Sequence, residues 1–310
     1  MSLIVVGTVA FDGIETPFGS SGKVVGGAAT YIGLSASSFV KNQTLVSVIG
    51  EDFPADVVAD FERRGISTEG LERRMGEKSF YWAGKYHYDM NSRDTLATEL
   101  NVLADFKPVV PEADRGAKFV MLGNLDPGVQ ASVLDQLSGK PELVVMDTMN
   151  FWMDIALEPL KAVIARVDVL TINDEEARQL TGEHSLVRAA HKVLEMGPKV
   201  LVIKKGEHGA LLFNKEEVFF APALPLEDVV DPTGAGDTFA GGFIGHLAAT
   251  GDTSFQNMKR AVIVGSAMAS FTCEKFGTAR LEALTRDEID ARIAEFVRLV
   301  QVDMDWPAIH

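Results

Sequence analysis

The run Asp231-Pro232-Thr233-Gly234-Ala235-Gly236-Asp237-Thr238-Phe239 sets two glycines and an alanine before an aspartate, and a long apolar-periodic segment follows. Such a run suits an anion site at a helix start. The backbone N–H groups of Gly234, Ala235 and Gly236 are unhindered, and the helix dipole adds partial positive charge. A carboxylate beside a phosphate serves binding poorly, because like charges repel. It makes sense if Asp237 takes a proton from a hydroxyl that attacks the phosphate. The dipole should keep Asp237 ionised with no raised pKa. The plainer alternative is a tight turn whose aspartate caps the helix.

Five other constellations stand out. Gly7 to Asp12 spans the end of the first strand-like run, where open parallel sheets bind ligands; Asp12 could accept hydrogen bonds from two hydroxyls, or be a turn aspartate. Gly26-Gly27 lets backbone approach a ligand, or makes a plain strand-to-helix turn. Asn173 and Glu176 read as a capping box at a helix start. Lys204-Lys205-Gly206-Glu207-His208-Gly209 suits a nucleotide-binding loop or a basic hairpin turn. Asp147 and Asn150 follow another strand and offer a further substrate or phosphate contact.

The elements that must position these residues alternate. Apolar runs at 3–8, 44–49, 117–122, 142–146, 167–172 and 199–203 read as buried strands. Helical segments are expected at 28–39, 54–64, 128–137, 159–166, 174–181 and 185–196, which indicates a mainly parallel sheet covered on both faces. Runs at 209–213 and 217–221 suggest an antiparallel edge hairpin, and helices at 236–249, 255–271 and 286–301 close the chain. Residues 71–101 break the pattern. They hold three of the four tyrosines in an aromatic, strand-favouring stretch, either an extra hairpin or a small lid that excludes water.

Composition narrows the function. A net charge of −15 argues against nucleic acid or an anionic membrane as partner, since both need clustered Lys and Arg. It does not argue against ATP, whose site needs only local positive potential and a metal ion. No transmembrane helix or signal peptide is expected, and the single Cys273, read as a small core residue, excludes an internal disulfide; together these favour the cytoplasm. The six histidines lack zinc-binding spacing. Neither G-x-G-x-x-G after the first strand nor G-x-x-x-x-G-K-[ST] occurs, so neither a nicotinamide-type dinucleotide site nor a P-loop is expected.

Gly26-Gly27, Asn173-x-x-Glu176 and the run 231–239, in that order along the chain, resemble the ribokinase-like (PfkB) family of sugar and nucleoside kinases. The resemblance extends from Gly7 to about residue 280. It implies one domain over 1–310: a three-layer α/β/α core with a mainly parallel sheet, plus a β lid from about 12–24 and 71–101. It implies an ATP-dependent transfer to a hydroxyl of a small sugar, with a cyclitol such as myo-inositol or a nucleoside as alternative acceptors. Asp237 would be the base and Gly234, Ala235 and Gly236 the anion hole. Asp12, Gly26 and Gly27 would bind the acceptor, and Asn173, Lys205, Gly206 and Gly209 the nucleotide. Glu176 would hold Mg²⁺ through water. Asp231 and Thr233, with the stretch 274–278 opposite, would hold a monovalent cation such as K⁺. A homodimer through the lid is a further expectation. The non-enzymatic alternative is a silent sugar- or nucleotide-binding regulator on the same fold. One departure is Tyr31, where the family commonly has a sugar-contacting Asn.

Overall fold

Short apolar runs buried on both sides can only be interior parallel strands, and these set the architecture. The computed structural model describes residues 2–301; Met1 and residues 302–310, His310 among them, lie outside the described residues. The strands are β1 Leu3–Val6, β2 Ala10–Thr16, β3 Gly19–Gly26, β4 Gln43–Gly50, β5 Ile66–Arg74, β6 Tyr81–Tyr86, β7 Arg93–Glu99, β8 Phe119–Leu122, β9 Leu143–Asp147, β10 Val169–Asn173, β11 Val200–Lys204, β12 Ala210–Phe213 and β13 Val218–Ala221. The helices are α1 Ala28–Ser37, α2 Ala55–Arg63, α3 Pro127–Gln136, α4 Asn150–Ile155, α5 Leu157–Ile164, α6 Asp174–Thr181, α7 Leu186–Glu195, α8 Ala235–Thr250, α9 Phe255–Thr272, α10 Ala279–Glu282 and α11 Arg286–Leu299.

The large sheet has the order β13-β12-β11-β10-β9-β8-β1-β4-β5. It is parallel from β11 to β5, and the expected edge hairpin β12–β13 is antiparallel. Successive side chains of a strand point to opposite faces. Leu3 and Val5 therefore join Phe119, Met121 and Val145 against α1, α8 and α9, while Ile4 and Val6 join Val120, Leu122 and Met146 against α3, α5 and α7. The chain runs outward in both directions from β1, so the sheet reverses between β1 and β8, the place where such folds open a crevice at the carboxyl ends of their strands.

A second sheet, β3-β2-β6-β7, stands apart from the first. Its β2 pairs antiparallel with β3 and parallel with β6. The expected lid segment 71–101 opens on Leu71–Arg74, which belong instead to β5 at the edge of the large sheet; β5 is half polar, as an edge strand is, and carries no clean alternation. The first strand is shorter than expected, since Gly7 to Val9 lead straight into β2. Cys273 is not a core residue of a helix but its C-cap, partly buried.

One packing detail places the site. Helix α8 runs between α1 and α9, and its glycines form the contacts. A Cβ on Gly241 would overlap the Ile32 carbonyl and lie 2.7 Å from Ser35 Cβ; one on Gly242 would lie 3.1 Å from the Gly265 Cα. Backbones therefore meet almost directly, which fixes the start of α8 over the crevice. Among the described residues, no helix is long and apolar enough to cross a membrane.

Candidate active site

Three neighbouring parallel strands end in polar residues: β9 in Asp147, β10 in Asn173 and β11 in Lys204. Register sets Asn173 opposite Lys204, and Thr171 opposite Asp147. The Lys204 Nζ donates to Asp147 Oδ2 at 2.5 Å, and both side chains are largely buried. Burial opposes the lysine's charge, but Asp147, Glu176 and Asp237 outweigh it and hold its pKa above the usual range.

Above these ends lies the start of α8. Gly234 is its N-cap at φ 75°, and the Tyr31 ring would stand within 2.5 Å of any Cβ there, so glycine is required twice over. A Cβ on Gly236 would lie 3.2 Å from Lys204 Nζ, so the ammonium sits against the backbone at the start of α8. Asp237 occupies the first turn, and its carboxylate makes no hydrogen bond with any described residue. It is not the capping aspartate of the plainer reading, because the cap is Gly234. Nor does the helix dipole keep its pKa ordinary. Burial first, then Asp147, push it up to about 7, against the opposing charges of Lys204 and Arg93.

Asp12 lies in β2, within the small sheet rather than at the end of β1. It is buried, and its Oδ2 accepts a hydrogen bond from the Gly27 N–H at 3.4 Å. A Cβ on Gly26 would sit 2.5 Å from the Asp12 Cγ, so that glycine admits the carboxylate. Burial raises Asp12 to about 7, the Gly27 N–H opposes this, and Asp231 and Asp237 add to the rise. Tyr31 is buried beneath Gly234, and its hydroxyl has no hydrogen-bond partner. Burial and the charges of Asp12, Asp231 and Asp237 hold that phenol well above its ordinary pKa.

Asn173 and Glu176 do form the capping box: Asn173 Oδ1 accepts from the Glu176 N–H, and Glu176 Oε2 accepts from the Asn173 N–H. This leaves Glu176 Oε1 without a protein donor among the described residues. Burial raises Glu176 to about 7, Lys204 opposes the rise and Asp147 adds to it. Asp231 is fully buried. It accepts from the N–H groups of Thr233 (2.8 Å) and Gly277 (3.1 Å), which ties the signature run to the 274–278 stretch. Thr233 donates to the Tyr86 hydroxyl from its own at 3.2 Å. Lys205, Gly206 and Gly209 build a tight turn between β11 and β12, closed by the Lys205 N–H to the Gly209 carbonyl. A Cβ on Gly206 would lie 3.0 Å from Asn91 Oδ1, so the tip of the β6–β7 hairpin rests on this turn.

The structure thus gathers Asp12, Asp147, Glu176, Asp231 and Asp237 into one crevice. Asn150 stays exposed at the start of α4, accepting only from the Phe151 N–H. Two residues escaped the sequence reading. Lys204, not Lys205, enters the crevice; the signal was its place as the last residue of a parallel strand. Arg93, at the start of β7, reaches from the small sheet so that its charge is felt at Asp237 and Glu176, and no described carboxylate pairs with it. Nothing local in the sequence marks it. A groove of about 340 Å³ at the opposite ends of β9 to β11, lined by Val144, Asp168 and Lys199 among others, contains none of these groups.

Fold and site together define a phosphotransferase: a parallel sheet with a crevice at its carboxyl edge, a helix start built for an anion, and an unbonded carboxylate beside it. The chain belongs to the pfkB family of carbohydrate kinases, whose pattern it matches over residues 18–284. It is 31% identical over 250 residues to a cytidine kinase of Thermococcus kodakarensis, covering 79% of this chain and 87% of that one. It is 26% identical over 305 residues to a nucleoside kinase of Methanothermobacter thermautotrophicus, covering 89% and 90%. Its fold matches an Escherichia coli protein described as a ribokinase II and solved with ATP and Mg²⁺, at TM-score 0.76 and 18% identity over 95% of this chain and 99% of that one.

Proposed function

We propose that this kinase transfers the γ-phosphoryl group of ATP to a hydroxyl of a small polyhydroxy acceptor, a sugar in the first instance. The observation that carries this is the unbonded Asp237 carboxylate in the first turn of α8, beside the Lys204 ammonium and the N–H groups of Gly234 and Gly236, which have no partner among the described residues, whereas that of Ala235 donates to the Pro232 carbonyl. Asp12, with the Gly26-Gly27 backbone, orients the acceptor's hydroxyls. Asp237 removes the proton from the attacking hydroxyl. The acceptor oxygen bonds to the γ-phosphorus, the bond from phosphorus to the β,γ-bridging oxygen breaks, and that oxygen leaves with the electron pair on ADP. The free N–H groups of Gly234 and Gly236 stabilise charge on the group in transit.

Glu176 suits Mg²⁺, since it brings a buried carboxylate with one oxygen free to hold a metal-bound water, and Asn173 fixes its position. When bound, the ion neutralises phosphate charge. Asp231 and Thr233 suit a monovalent cation, K⁺ by the family's habit. Burial raises the Asp231 pKa, and no described cation pairs with it. The tight turn of Lys205, Gly206 and Gly209 borders the nucleotide's side of the crevice and would meet the nucleotide through its backbone. The small sheet covers the acceptor, and its exposed Phe18 and Leu96 favour pairing of two lids in a homodimer. A chain of this kind works in the cytoplasm, where ATP is made.

A nucleoside acceptor is the second reading. The names of the two relatives favour it, and the partly exposed Trp82 of β6 supplies a ring for a base to stack on. The test is ADP release from Mg·ATP across pentoses, hexoses, ketohexoses, inositols and nucleosides including cytidine, with and without K⁺. Stimulation by one acceptor class, lost in Asp237→Ala, would establish transfer and name the class. ATP binding with no stimulation by any acceptor would favour the silent regulator.

A further inference from the structure

We propose that Lys204 is a catalytic residue that grips the γ-phosphoryl group of the nucleotide, and that Asp147 is the positioning residue that aims it. Two independent observations meet at this lysine. Its Nζ is anchored by Asp147 at the neighbouring strand end but one, and it stands where a Cβ on Gly236 would lie 3.2 Å away. An ammonium against the anion-hole backbone is in reach of an anion that those N–H groups bind. Its side chain keeps some exposure toward the crevice (17%), whereas Asp147 keeps almost none. A lysine serving only to neutralise Asp147 would gain nothing from that opening. Three donors on one ammonium let it hold Asp147 and a phosphate oxygen together. In transfer the lysine keeps its proton. The acceptor's proton goes to Asp237, and Lys204 balances the negative charge that stays on the γ-phosphoryl oxygens as they pass from ADP to the acceptor.

This inference rests on the kinase reading, and its test separates the two. Removing Lys204 alone would strand Asp147 as a buried, unpaired charge and threaten folding. The variant to use is therefore Lys204→Met with Asp147→Asn, which removes both charges and keeps the hydrogen bond that Thr148 N–H donates to residue 147. Titration calorimetry with Mg²⁺ compares ADP and the β,γ-imido analogue of ATP. The double variant should lose about tenfold or more in affinity for the analogue while ADP binds within threefold of wild type. Equal changes for both nucleotides, or none, would overturn the proposal. This reading needs no acceptor, so it stands or falls even if wild type shows no acceptor-dependent turnover, the result that sinks the kinase reading instead.

Where turnover is present, the double variant should lose about 10²-fold or more in kcat with the acceptor KM little changed, the loss typical of a deleted transition-state donor. A kcat within threefold of wild type would make the pair structural only. Asp147→Asn alone leaves the lysine but frees its aim. It should lower kcat about tenfold and move the acidic limb of kcat/KM to lower pH, because Asp147 raises the base. The charged and titratable groups facing Asp237 are Asp147, Lys204, Arg93 and, more distantly, Asp12 and the neutral Tyr31 phenol. Retention of full kcat by Asp147→Asn would remove its positioning role.

Discussion

The pH dependence of transfer tests the site most directly, because the structure sets its sign and its midpoint. Burial and Asp147 lift Asp237 to about 7 against the pull of Lys204 and Arg93. Only the ionised form can take a proton, so kcat/KM for the acceptor should rise with pH through that value and level off above it. With a midpoint at 7, the ionised fraction falls from about 0.9 at pH 8 to about 0.1 at pH 6, a loss of roughly tenfold. The assay is coupled ADP release at saturating Mg·ATP, with the coupling enzymes shown not to limit at either pH. Asp237→Asn keeps the shape and removes the base. It should cost about 10²- to 10⁴-fold, or ~3–5 kcal/mol of barrier, and its residual rate should be flat across this range. A wild-type profile level down to pH 5.5, or an Asn variant keeping a tenth of the activity, would refute the assignment of Asp237 as base.

Three further outcomes follow from the same geometry. Gly234→Ala meets both a left-handed φ and the Tyr31 ring, so it should destabilise the fold by about 3 kcal/mol or more in urea unfolding, where backbone strain alone accounts for ~1–2; a loss under about 0.5 kcal/mol would show that the turn is not held as described. The ligand-free protein should melt lower at pH 8 than at pH 6. Asp12 is protonated more readily folded (about 7) than unfolded, so its contribution is full below the ordinary carboxylate pKa and drains away as pH rises through 7. That one group accounts for about 1.4 kcal/mol between pH 6 and 8, and an Asp12→Asn variant should flatten the slope in calorimetry. Tyr31→Phe deletes a buried hydroxyl with no partner, so it should stabilise the ligand-free protein by roughly 1 kcal/mol, and a clear loss of stability would reveal a bond the structure does not show.

What the sequence disclosed divides by physical cause. The interior strands were legible because burial on both faces leaves unbroken apolar runs such as Val200 to Ile203, and α6 and α8 were legible from Asn173 and from the glycines before Asp237. β5 escaped because an edge strand exposed on one side is free to be polar, and α4 because six residues are too few to show a period. Within the site, Asp237, Glu176 and Asp12 announced themselves by local context. The upward shift of Asp237 did not, since it depends on Asp147, some ninety residues earlier, and on how completely the crevice excludes water. Lys204 and Lys205 are adjacent and chemically identical; only strand register decides which of them faces the crevice. Arg93 is brought in by a sheet whose strands come from both sides of α1, a contact with no signature along the chain.

The glycine face of α8 divides the labour of the enzyme. Asp237 and the glycine turn before it ride on a helix seated by main chain against main chain at Gly241 and Gly242, so side-chain changes elsewhere in the core have little purchase on them. The proposed acceptor contacts come instead from Asp12 and the aromatic strand β6, in a separate sheet that meets the core through a few residues such as Phe11, Val25 and Tyr81. One module is machined to a fixed tolerance and the other is interchangeable. Exchanging residues 10–26 and 81–99 with those of a relative would therefore be expected to change which molecule is phosphorylated while leaving the manner of its phosphorylation as it was.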